Sequence, residues 1–142
     1  MKNLVLFGIV FCMLLLTFPS NTLACRCITS VSPEIAYQQA DAVIQGTVVS
    51  IGGDFYREGG ATAKIQVLKA WKKDVHGLLD VSTATTCAYD FQVGDEILLY
   101  LKLSEDGKHY TTRKCVGNLP ICKAKESLKW LEQNGALMDI GE

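Results

Sequence analysis

The sequence predicts a mainly β fold: one small closed barrel with a short helix ahead of it and another behind. Three observations predict it. Five stretches rich in apolar and β-branched residues lie between residues 42 and 114, with glycine-containing turns among the connections. They are short and the first carries an internal glycine, which suits a curved sheet closing on itself better than an open one. A helix-start signal precedes the first stretch, and helical apolar spacing follows the last.

The leading helix is read from Ser32-Pro33-Glu34: a capping hydroxyl, a proline at the first helical position and an acid near the positive helix end. It should run through Ile35, Ala36 and Gln39. Ala42 to Ile51 reads as the first strand, with Gly46 as a bulge or bend. Gly52-Gly53 and Gly59-Gly60 bracket a loop whose Phe55, Tyr56 and Arg57 either form a contact surface or fold back on the barrel. Ala61 to Trp71 alternates, with Ala63, Ile65, Val67 and Trp71 expected on one face and Thr62, Lys64 and Gln66 on the other. Leu78 to Ala84 is a weaker strand with Leu79, Val81 and Thr83 on one face. Glu96 to Leu103 puts Ile97, Leu99, Leu101 and Leu103 together. Ser104-Glu105-Asp106-Gly107 turns the chain back into a fifth strand, His109 to Lys114. Ala124, Leu128 and Leu131 lie at helical spacing in Lys123 to Asn134, which Gly135 should stop. Five short strands flanked by two helices make a five-stranded OB-type barrel the most economical architecture.

Ahead of all this stands an apolar leader. Lys2 precedes an uninterrupted run from Leu4 to Phe18, Pro19-Ser20-Asn21 breaks it, and Ala24 offers a small residue before a cut. This is signal-peptide order, and the run is shorter than the roughly 20 residues of a spanning helix. The expected organisation is therefore a signal peptide, 1–24, and one domain, 25–142. Removing 24 of 142 residues leaves 118, enough for one core, and losing Lys2 moves the formal net charge from −1 to −2. A near-neutral chain whose densest cationic cluster is Lys69 to Lys73 argues against a nucleic-acid partner.

Cleavage after Ala24 would make Cys25 the first residue, followed by Arg26 and Cys27. Five cysteines remain: Cys25, Cys27, Cys87, Cys115 and Cys122. An exported chain meets an oxidising compartment, so disulfides are expected, with one thiol left free, modified or paired with another chain. The spacings lack a C-x-x-C pair, and neither His76 nor His109 stands at a zinc-ligand interval, so no metal of its own and no cofactor are expected.

A mature Cys-x-Cys start, then a helix, then Ala40-Asp41-Ala42-Val43-Ile44-Gln45-Gly46-Thr47-Val48-Val49 resembles the opening of the tissue inhibitors of metalloproteinases, whose domains belong to the netrin-like group of OB-folds. The block from Cys87 to Tyr100 resembles the single-domain bacterial relatives more closely still. The resemblance spans nearly the whole mature chain. It implies bridges Cys25–Cys87 and Cys27–Cys115 with Cys122 unpaired. It also implies that the Cys25 α-amine and carbonyl oxygen chelate a protease's catalytic zinc, replacing the water that such a zinc keeps. Arg26 would then enter the protease's specificity pocket, and Thr85 and Thr86 would flank the contact. Arg26 departs from the small or hydroxylated residue of the family, so a pocket carrying an acid suits it best. Cys122 lacks the partner of the family's third bridge in this half, and the cysteine-rich second domain of the animal inhibitors is not expected here.

The expectation is a secreted, monomeric metalloendopeptidase inhibitor in the extracellular space or cell envelope, with a zinc metalloprotease as partner. The alternative is a netrin-like OB-fold binding module, secreted or tethered through a lipid on Cys25, without inhibitory activity. Lipidation would leave an even four cysteines, but Leu23 stands two residues before Cys25 where a lipoprotein signal wants leucine three before. Membrane association is expected only if Cys25 is lipidated. An enzyme is not expected: G-x-S-x-G, H-E-x-x-H and a phosphate-cradling glycine loop are all absent. Asp90, Asp95 and Glu96 read as solvated turn acids. Cys122 is a nucleophile only in principle, a leftover buried thiol being commoner.

Overall fold

The structure, a computed structural model, describes residues 25, 27, 31–54 and 60–138. The leader, Arg26 and the Phe55-Tyr56-Arg57 loop lie outside the described residues. Ser32 opens the first helix, α1 (Pro33–Gln39), its hydroxyl accepting from the Ile35 N–H at 3.4 Å with Pro33 at the start. No basic residue stands in the last turn of α1. Lys72 supplies the charge from elsewhere, donating from Nζ to the carbonyls of Tyr37 (2.9 Å), Gln38 (3.1 Å) and Ala40 (2.6 Å). An ammonium at the negative end of a helix satisfies carbonyls that have no partner within it. This ties α1 to the barrel.

The strands are β1 (Ala42–Gly53), β2 (Ala61–Trp71), β3 (Leu78–Thr83), β4 (Glu96–Leu103) and β5 (Tyr110–Thr111). β1 pairs antiparallel with both β2 and β4; β3 pairs with β2 and, in parallel, with β5; β5 returns to β4. The circuit β1-β2-β3-β5-β4-β1 closes a five-stranded barrel of OB-fold type. The register of β1 against β2 shifts between Gln45 and Gly46, as the internal glycine predicted. A Cβ on Gly46 would stand 2.6 Å from Ile65 Cγ2 and 2.7 Å from the Gln66 carbonyl oxygen, so only glycine lets the strands approach here.

Two apolar clusters result. Ala63, Ile65, Val67, Val81, Ile97, Leu99 and Leu101 fill the barrel, whereas Val43, Leu98 and Tyr100 face outward beneath α1 and a second helix, α2 (Lys125–Asn134). With both its faces covered, β4 reads as a continuous apolar run. Trp71 corrects the sequence reading. Gln45 is opposite Lys69 but Gly46 is opposite Val67, so Leu68 is an extra residue and inverts the alternation beyond it. Ala70 therefore joins Val67 inside, and Trp71 packs outside with Leu131 of α2.

The other departures are local. β5 is two residues long rather than the expected run from His109 to Lys114. Beyond Thr111, side chains replace the strand ladder to β4: Thr112 Oγ1 donates to the Tyr100 carbonyl at 3.0 Å, and Asn118 Oδ1 accepts the Tyr100 N–H at 2.8 Å. Gly135 ends α2 in extended geometry (φ −81°), not the left-handed form typical of glycine stops. Glycine is needed for proximity instead, since a Cβ would lie 2.7 Å from the Leu131 carbonyl oxygen and 2.9 Å from Trp71 Cδ1. Two short pairings were not anticipated: β6 (Leu119–Pro120) on β4 and β7 (Leu137–Met138) on β2.

Candidate functional site

The Cys-x-Cys head is held at the barrel surface by two bridges, Cys25–Cys87 and Cys27–Cys115, each with Cα atoms 5.2 Å apart. Two disulfides suit an oxidising compartment. Cys25 is half-buried and Cys27 exposed. Arg26, between them, lies outside the described residues. Cys122 is free, and it is exposed rather than buried: it sits in a single 3-10 turn, Ile121–Lys123, whose Ile121 packs on the outer cluster.

The two segments that receive the head are bonded to each other. The N–H of Lys114, one residue before Cys115, donates to the Cys87 carbonyl at 2.8 Å. The Cys87 segment leaves β3 through Thr85, whose φ of +77° turns the chain sharply. Its carbonyl accepts the Ala88 N–H at 3.1 Å, and its hydroxyl accepts the Cys87 N–H at 3.3 Å. Thr83 Oγ1 takes the Tyr89 N–H at 2.8 Å, and the Tyr89 and Phe91 rings meet edge-on with centroids 5.0 Å apart. Burial, with the nearby charges of Asp95 and Asp90, pushes the Tyr89 phenol up. Thr85 and Thr86 are both exposed, two residues and one residue before Cys87.

The Cys115 segment is held by Asn118, which sequence reasoning missed. Its Nδ2 donates to Thr112 Oγ1 (2.8 Å) and the Arg113 carbonyl (3.1 Å), while its Oδ1 binds β4. Gly117 (φ +105°) lies against Ala36 and the Tyr100 ring, with no room for a side chain. Gly117-Asn118 announces a turn in the sequence. Nothing local announces that this asparagine's partners lie on β4 and at residues 112 and 113.

Elsewhere, a serine, a histidine and an aspartate meet in the β4–β5 hairpin without the geometry of nucleophilic catalysis. Ser104 Oγ donates to Asp106 Oδ1 at 2.5 Å, and both Ser104 and Asp106 face the same His109 nitrogen, Nδ1, at 3.2 and 3.5 Å. The single hydroxyl proton goes to the Asp106 carboxylate, so the His109 ring is not placed as its general base. This cluster clamps a turn, and the Ser104 hydrogen bond, with the Lys108 N–H, lowers the Asp106 carboxyl. Among the described residues no three His, Cys, Asp or Glu side chains converge to hold a metal ion, and no helix is long and apolar enough to cross a membrane.

No family model matches the chain, and no curated protein matches it significantly. The chain's own residues build a short head clamped at two points onto mutually bonded loops, with exposed threonines beside it.

Proposed function

We propose that the mature chain begins at Cys25 and acts as a secreted inhibitor of a zinc metalloendopeptidase, like the inhibitors it resembles. One observation carries the reading. Both cysteines of the head are bridged to segments that hydrogen-bond each other, so Cys25 and Cys27 have little freedom left to lose on binding. A free α-amine and the carbonyl oxygen of Cys25 together form a two-atom chelate for the open position of a catalytic zinc. The amine coordinates unprotonated, and an ordinary α-amine pKa of about 7.7–8.0 makes that form available near neutral pH, with a proton released on binding. Arg26 enters the specificity pocket and selects a protease with an acid there. Thr85 and Thr86 lie against the cleft beside it. The protein works as a monomer, contributes no metal and carries out no catalysis.

A lipid-tethered binding module needs the Cys25 sulfur for a thioether. In the structure that sulfur is bonded to Cys87, which supports an unlipidated head. The test joins intact mass to inhibition. The exported protein should begin at unmodified Cys25, lose no lipid mass on treatment and gain four hydrogens on reduction of its two bridges. It should also inhibit at least one member of a zinc metalloendopeptidase panel with one-to-one stoichiometry. A lipid on Cys25, or a panel left fully active by protein with a free Cys25 amine, would overturn the reading.

A further inference from the structure

A cavity of about 480 Å³ opens between α1, the end of β3 and the β4–β5 wall. It lies between the two segments that hold the head: Thr85, two residues before Cys87, lines one side, and Arg113, two residues before Cys115, lines another. Gln39 of α1, Lys102 of β4 and His109 also line it. Among the described residues no carboxylate does.

The charges are unevenly committed. Lys102 Nζ is 3.7 Å from Asp41 Oδ1 in an exposed pair, which screening leaves weak. His109 keeps Nδ1 on Ser104 and Asp106. The Arg113 guanidinium, exposed at the rim, has no ion-pair partner among the described residues, and only its backbone carbonyl is engaged, by Asn118. That bond also ties the Arg113 backbone to the Cys115 segment. A free guanidinium is a fork of donors matched to a carboxylate. The volume falls within the roughly 300–1,000 Å³ range of ligand clefts, and hydroxyls of Thr85 and Thr111 add neutral partners for a peptide backbone.

We propose that this groove is a docking site for an acidic peptide segment of a protein partner, with Arg113 as the carboxylate anchor and Lys102 as its support. The site does not require that Cys25 chelate zinc. A partner engaged at the head would gain a second contact here; a partner that ignores the head could still bind.

The probe is a fluorescein-labelled hexapeptide of alternating Glu and Asp, compared with its Gln/Asn counterpart by fluorescence anisotropy on the disulfide-intact protein. The acidic peptide should bind and its amide counterpart should not, with affinity falling steeply as salt rises from about 0.05 to about 0.5 M. Arg113→Glu should weaken binding about tenfold or more and Lys102→Gln by less, whereas Lys129→Glu, on α2 outside the groove, should change it less than about twofold. Unchanged melting temperature and bridge count in each variant show that the fold is kept. Blocking the Cys25 amine should leave peptide binding intact, which separates this test from that of inhibition. Equal binding of both peptides, no binding of the acidic one, or an Arg113→Glu protein that binds like the parent would each overturn the proposal.

Discussion

Lys72 shows how one side chain can decide the placement of a whole segment. Its ammonium is the only charge hydrogen-bonded to the carbonyl end of α1 among the described residues, and it reaches three carbonyls at once. Hydrogen bonds to a charged group contribute about 1.5–3 kcal/mol, and removing the donor leaves those carbonyls short of partners. Lys72→Met should therefore cost about 2 kcal/mol in urea unfolding and raise hydrogen exchange in α1 before the barrel strands. The sequence contained the lysine but no sign of this use. Lys69 to Lys73 read only as the densest cationic cluster, since the partners of Lys72 are 32 to 35 residues away. Gly46 is the opposite case. A glycine inside a β-branched run announces a local irregularity by itself, and the structure has the register shift there.

At the scale of elements, legibility followed periodicity. The inward face of β3 was readable because alternation is a local property, β4 because its apolar run is, and α1 because its cap and proline are adjacent in sequence. Trp71 was misplaced because one extra residue, Leu68, inverts the phase and leaves no local trace. β5 was overestimated because Thr112 and Asn118 take over backbone partners of β4. The segment from Thr85 to Phe91 carries a prediction of its own. The Tyr89 phenol is pushed up by burial first and by Asp95 and Asp90 next, so the folded protein resists ionisation that the unfolded chain undergoes near pH 10.0. Tyr100, pushed up by burial, acts in the same direction. A raised folded-state pKa means that stability is full below pH 10.0 and falls as pH climbs beyond it toward the raised value. Thermal melts from pH 8 to 11 should fall at the alkaline end, and Tyr89→Phe should flatten that fall. An equally steep fall in Tyr89→Phe would assign the loss to other groups.

For the molecule as a whole, the barrel and the head are joined by two long-range cross-links, spanning 62 and 88 residues in sequence. Loops of that length give the largest chain-entropy stabilisation. Replacing Cys27 and Cys115 together by alanine should cost about 2–5 kcal/mol. Cys122→Ser, exposed and unpaired, should stay within about 0.5 kcal/mol of the parent. The head's position beside Thr85 was legible only through the family resemblance, because five cysteines do not reveal their pairing by spacing. The central claim is that Cys25 works through its α-amine. Acetylation at mildly acidic pH favours that amine, whose ordinary pKa of about 7.7–8.0 lies well below the 10.4 of a lysine. The measurement is the inhibition constant against a susceptible zinc metalloendopeptidase before and after this single modification, confirmed by mass. The account predicts that inhibition is lost while both disulfides and the melting temperature are unchanged. Undiminished inhibition by the acetylated protein would contradict it.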